Sequence, residues 1–289
     1  MKDNNNRQPI AFSFRMAAGL IGLLMAGMTF NACQSTHQKV LEGDDYGKKM
    51  EFAERYMEEG EYSRAKPMLN DLIDFYRGTE KVIELYFQYA EAQFETGNYL
   101  MASHYYQTLA ETFPDSELAE KSLFRHAYSL YQVSPRPSLD QSNTRRAINA
   151  FQLFVNRHPQ SDLVERSHQY MDELREKLEI KAFNNARHYY QIHDYRAAKW
   201  AFGNFLEEYP GSDRREEAEY LIFKSAYRYA DKSVEEKRAE RFRDAVQYYE
   251  RFIERYPDSD KREEAEEMYQ SAKNFLNEET SRGVEEVTN

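Results

Sequence analysis

Apolar residues along most of this chain recur at three- and four-residue steps, the spacing of one face of an α-helix. The pattern is sharpest after four alanines, Ala102, Ala147, Ala198 and Ala245. Each is followed by a bulky residue four positions on (Tyr106, Phe151, Phe202, Tyr249), another at seven (Leu109, Phe154, Phe205, Phe252) and a proline at twelve (Pro114, Pro159, Pro210, Pro257). A fifth copy has Ala65, Leu69 and Leu72, with Arg77 in place of the proline. The prolines stand in one repeated punctuation, FPDSE, HPQSD, YPGSD and YPDSD. Proline stops a helix because it lacks an N–H and disfavours helical geometry in the residue before it. The next helix is expected to start at once. Asp162, Asp213 and Asp260, with Glu165, Glu216 and Glu263 three residues on, read as capping boxes, and Glu117 with Glu120 as a weaker version.

Each copy also has a preceding helix. The segments EEGEY (58–62), ETGNY (95–99) and QIHDY (191–195) place a turn before an aromatic that opens the second helix, and Ala53, Ala90 and Ala186 lie twelve residues before the second-helix alanine. A small residue there allows two helices to approach closely. This order of small, aromatic and proline positions resembles the tetratricopeptide repeat, a helix pair stacked on its neighbours. The expected fold is therefore all-α, a superhelical solenoid of about five such helix-turn-helix repeats over residues 46–279. The repeats are read as 46–80, 81–116, 117–161, 162–212 and 213–259, with a charged capping helix over 260–279 and a flexible tail over 280–289.

Two repeats depart from the period, both at the turn between their helices. Twenty residues separate Ala127 from Ala147, and nineteen separate Ala226 from Ala245. The first excess contains VSPRPSLDQSN (133–143), a loop by its Pro and Ser content; the second, DKSVEEKRAER (231–241), reads as a lengthening of the helices. No Pro or Gly occurs from Leu163 to Gln191, which predicts one long first helix in the fourth repeat.

Composition agrees with a helical, packed chain: 289 residues, 41% hydrophobic, with only 11 Gly and 8 Pro. The 23 Tyr and 18 Phe need a core to pack in. A net charge of -11, with acidic residues spread along the chain, lacks the footprint of a nucleic-acid binder.

The N-terminus is a different material. Lys2, Arg7 and Arg15 precede the apolar run Met16 to Phe30, and no acidic residue interrupts the stretch between Asp3 and Glu42. That is an export signal, either cleaved or kept as a transmembrane anchor. Cys33, the only Cys, decides for a lipoprotein signal over 1–32, since it directly follows the run where such signals place the thiol that receives diacylglycerol. Ala32 fits the small residue expected there, whereas Phe30 and Asn31 depart from Leu followed by Ser or Ala. Cleavage removes three cations and one anion, taking the charge from -11 to -13. Several acyl chains on one cysteine hold a protein to a bilayer stably. Gln34, where lipoproteins of Gram-negative bacteria retained in the inner membrane commonly have Asp, is compatible with the outer membrane, and residues 33–45 read as a polar tether.

Taken in order, the lipoprotein signal, five repeats, enlarged turns in the third and fifth, YQVSPRPSLDQSNTRRAINAFQLFVNRHPQSD in the third and a long helix leading to YRAAKWAFGNFLEEYP resemble the BamD (YfiO) family of outer-membrane assembly lipoproteins. The resemblance covers nearly the whole mature chain. It implies a non-enzymatic, periplasm-facing scaffold of the machine that folds and inserts β-barrel proteins, with no cofactor beyond the lipid on Cys33. The implied partners are the barrel protein BamA, contacted through its POTRA domains, and unfolded barrel precursors. In the family the C-terminal repeats usually carry the BamA contact and the N-terminal ones the substrate contact.

In a tetratricopeptide fold, positions three before, one after and four after the first-helix alanine point into the groove. Here these are Met50, Glu54 and Met57, then Phe87, Glu91 and Phe94, then Phe124, Tyr128 and Tyr131. An extended segment ending in aromatic residues could place its rings among them; packing between repeats is the alternative for each ring.

Enzyme chemistry finds no foothold. The seven His form no HExxH pair and no zinc pattern with the lone Cys, and neither a phosphate-binding glycine loop nor a Ser nucleophile elbow occurs. His158 stands in an aromatic's place and reads as a packing residue, and Trp200, beside Phe202, reads as core. The rival readings are a lipoprotein scaffold for cell-wall or secretion machinery, and a SusD-like glycan-binding lipoprotein, a type that is typically much larger.

Overall fold

The computed structural model describes residues 36–288, so the signal segment 1–32 and Cys33 lie outside the described residues. Among these the chain is all helix and turn, and it divides into two compact units between Gln132 and Val133, within the third repeat as read from the sequence.

The first unit holds α1 (Tyr46–Glu58), α2 (Tyr62–Phe75), α3 (Lys81–Glu95), α4 (Tyr99–Thr112) and α5 (Ala119–Gln132), each packed on its chain neighbour. The alanines of the register are the close-approach points: Ala53, Ala65, Ala90 and Ala102 are fully buried, as are Leu69, Leu72, Tyr106 and Leu109 on the same faces. Residues 36–42, expected to be part of a polar tether, are helical instead, with Val40 and Leu41 against the first pair's core and His37 edge-on to Tyr56 at 5.5 Å. Two apolar side chains in the seven-residue stretch are enough to dock it.

The second unit holds α6 (Ser142–Arg157), α7 (Val164–Gln191), α8 (Tyr195–Glu208), α9 (Arg215–Asp231), α10 (Glu235–Arg255) and α11 (Arg262–Thr288), again packed in chain order, with α9 also touching α11. Its core centres on Phe183, Phe202, Phe205, Phe223, Tyr249 and Phe252. The long first helix expected from Leu163 onward is present as the 28 residues of α7. The enlarged turn before α6 is a loop, pinned by Lys177 Nζ on the Ser134 hydroxyl (3.1 Å) and by the Lys181 ammonium on the Leu139 carbonyl (2.5 Å). The helix of the cap runs on to Thr288, so 280–288 is helical where a flexible tail was expected.

Three of the turns inside the pairs share one geometry. Gly60, Gly97 and His193 take positive φ (74°, 78° and 65°), and the N–H groups of Glu61, Asn98 and Asp194 reach back to the carbonyls of Tyr56, Gln93 and Tyr189. That is a Schellman ending, which favours glycine, and His193 adopts it without one.

The four punctuation turns also share one geometry, but their helix starts are not capped as expected. No described backbone N–H is held by Asp162, Asp213 or Asp260. Instead the hydroxyls of Ser161, Ser212 and Ser259 accept from the N–H groups of Leu163 (3.2 Å), Arg214 (3.0 Å) and Lys261 (3.2 Å). The helix begins one residue later than a cap at Asp would require, which leaves the carboxylates in solvent. Ser212 and Ser259 also donate to Glu179 (2.7 Å) and Glu216 (2.6 Å), tying each stop to the first helix of its own pair.

Candidate peptide-binding groove

The groove residues expected from the register separate into two groups. Met50 and Met57 are half-buried against the first pair's own core, as Phe87 and Phe94 are against the second pair's. Phe94 from α3, and Phe124, Tyr128 and Tyr131 from α5, come together in the first unit. Tyr128 is the hub: its ring stacks on Phe94 (5.7 Å between centroids), Phe124 (6.2 Å) and Tyr131 (5.8 Å). Positions i, i+4 and i+7 of one helix lie on one face, so α5 presents three rings in a row and α3 supplies the fourth. Phe124 is the deepest, at 8% exposure. Phe87 lies edge-on to the buried Tyr106 at 5.7 Å, with the Lys121 ammonium 4.7 Å from its ring.

Beneath the rings is a charged node that the register did not foresee. Arg125 makes a two-pronged contact with Glu91, Nε to Oε1 at 2.9 Å and Nη2 to Oε2 at 2.6 Å, and its guanidinium lies 4.1 Å from the centre of Phe94. The Tyr106 hydroxyl donates to the same Glu91 oxygen at 2.6 Å. Burial, followed by the Glu91 carboxylate, pushes the Tyr106 hydroxyl far above its ordinary value, so it stays a donor. Burial works against the charge on Arg125, but Tyr106 and Glu91 outweigh it and hold the guanidinium above its usual value. Glu91, expected as an acidic fringe, is thus already neutralised, and Glu95, 3.9 Å from Arg125, is the carboxylate nearer solvent. The signal was available: Arg125 adjoins Phe124 in sequence, and Glu91 lies between two groove aromatics. Pairing them required knowing how α3 and α5 lie across α4.

Such a surface can take up aromatic side chains by stacking without placing a bare charge against them, since the cation and the carboxylate satisfy one another.

A family model described as outer membrane lipoprotein, YfiO, matches residues 48–198 and 181–281 of this sequence. The chain belongs to the YfiO family of outer-membrane lipoproteins. No curated protein matches the sequence. Among solved structures, it is similar to the TPR2AB-domain:pHSP90-complex of yeast Sti1, with 15% identity, a TM-score of 0.38, and coverage of 79% of this chain and 98% of that one. The YfiO match spans both compact units, and all nine groove positions fall inside its first segment. None of the described helices is long and apolar enough to cross a membrane.

Proposed function

We propose that this YfiO-family chain is a non-enzymatic scaffold of the outer-membrane β-barrel assembly machinery. Lipid on Cys33 anchors it to the outer membrane of a Gram-negative bacterium with its helix pairs in the periplasm. It binds a BamA-like barrel protein through POTRA domains and takes up unfolded barrel precursors. The family match over 48–198 and 181–281 carries this reading. The groove supports it, because Phe94, Tyr128 and Tyr131 form a stacked aromatic face suited to the aromatic-ended segments of barrel precursors.

Replacing Phe94 and Tyr131 together by Ser is expected to weaken binding of a peptide from a barrel-protein C-terminus by at least about tenfold, as each lost aromatic contact is worth about 0.5–1.5 kcal/mol beyond its burial. Fluorescence anisotropy with labelled peptide measures this. Tyr131→Ser alone guards against a folding defect, since Phe94 also packs on Ala90 and Ala102. Wild-type affinity in both folded variants would remove the groove from the account.

A further inference from the structure

Trp200 is the only tryptophan of the chain and stands two residues before Phe202, whose ring is fully buried. Two residues along an α-helix turn about 200°, so the two rings face opposite ways. Trp200 is accordingly 67% exposed, where the sequence had suggested core. Beside it lies a hollow of about 200 Å³, walled by Lys199, Asn204, Glu207 and Tyr248 and open at Gly203. A Cβ on Gly203 would meet nothing within 4 Å. Tyr248 also bounds a second hollow of about 210 Å³, reaching Leu206 and Ile222. The two form one surface across α8, α9 and α10, wholly within the second unit.

Its charge is opposite to that of the chain. Lys199, Arg215, Arg251 and Arg255 line it against two carboxylates, Glu207 and Glu219, in a protein of net charge -11. Glu219 is already held by Arg215 at 3.1 Å and by Arg255. Lys199 and Arg251 stand 5.3 Å and 5.0 Å from the centre of Tyr248, and neither pairs with a carboxylate among the described residues. An exposed Trp beside a Tyr flanked by cations has the composition of a binding hot spot, in which Trp, Tyr and Arg are enriched.

We propose that this surface docks an acidic segment of a partner protein, which inserts an aromatic or aliphatic side chain beside Trp200 into the space at Gly203. The inference rests on the scaffold reading above in taking the occupant to be a protein. Charge complementarity selects an acidic segment, and the discrete aromatic hollow selects a side chain over a flat lipid surface.

Trp200 reports occupancy directly, because all tryptophan emission of the chain is its own. The probe is a twelve-residue peptide of Glu, Asp and Ser with one central Phe, titrated against the lipidated full chain in detergent. The emission of Trp200 is expected to shift to the blue, with binding at least about tenfold tighter than for the same peptide with Ser at the Phe, and weakening with salt as charge pairs are screened. Lys199→Glu with Arg251→Glu should lose at least tenfold. Gly203→Leu, which fills the hollow without altering charge, should also lose binding. A circular dichroism melt checks that each variant folds. An equal response to a Lys-for-acid peptide, a matching shift with anionic vesicles alone, or no response up to millimolar peptide overturns the proposal. The scaffold reading fails separately: loss of acidic-peptide binding in the Glu variants supports this dock whether or not a POTRA-containing partner co-purifies, and reproducible absence of that partner from the wild-type chain overturns the scaffold reading alone.

Discussion

Ser212 and Ser259 each make two hydrogen bonds, accepting from the backbone at a helix start and donating to a carboxylate of the pair's first helix. Asp213, beside Ser212, is exposed and has neither role. Ser212→Ala should therefore cost about 1 kcal/mol, the usual scale for a lost cap or a part-buried hydrogen bond, while Asp213→Ala should cost almost nothing. Urea midpoints of the two variants decide between them, and a larger loss for Asp213→Ala would restore the carboxylate cap. Ser and Asp adjoin each other and both are good caps, so composition alone could not choose; the choice depends on how far the proline turn runs before the next helix opens. Trp200 teaches the opposite lesson. Its offset from Phe202 and Phe205 placed it on the far face by arithmetic, and its aromatic character alone suggested burial.

The helices themselves were legible because their signals are local. Alanine, two bulky residues and a proline at fixed spacing define α4, α6, α8 and α10, and an absence of Pro and Gly defines the length of α7. Packing that depends on partners was less legible. Met50 and Met57 share their register positions with Phe87 and Phe94, and both sets pack on the core of their own helix pair, so what sets the second repeat apart is the contact of Phe94 with Tyr128 of α5. The docking of α11 is a further case. Glu264 accepts from Lys224 at 2.5 Å and from the Tyr220 hydroxyl, and the Lys224 and then the Tyr220 bond hold its carboxyl below the ordinary carboxylate value. A folded value below the unfolded one stabilises above the unfolded pKa of about 4.3 and is lost as pH falls through the folded value. Glu264 is about half exposed, so solvent screening keeps the effect small. Acidification from pH 6 towards pH 3.5 is expected to lower the amide protection factors, taken relative to the intrinsic exchange rate at each pH, in the first turns of α11. Glu264→Gln should reduce that fall in protection, and an unchanged pH response in Glu264→Gln would assign it elsewhere.

An apolar, basic-flanked N-terminus before a single cysteine, two helical units that one family match spans, and aromatic surfaces in each unit are the features on which the proposed scaffold role rests. The groove in the first unit is built of stacked rings over an internally paired Arg125 and Glu91, and the surface in the second is basic around an exposed Trp200. They differ in chemistry, as two kinds of proposed partner would require. The measurement that tests this is co-purification from detergent-solubilised envelopes through a C-terminal tag, with the retained membrane proteins identified by mass spectrometry. Recovery of a POTRA-containing barrel protein, lost when the third to fifth repeats are deleted and the anchor is kept, is the predicted result. Its reproducible absence, with a cell-wall or secretion complex in its place, would contradict the assembly role.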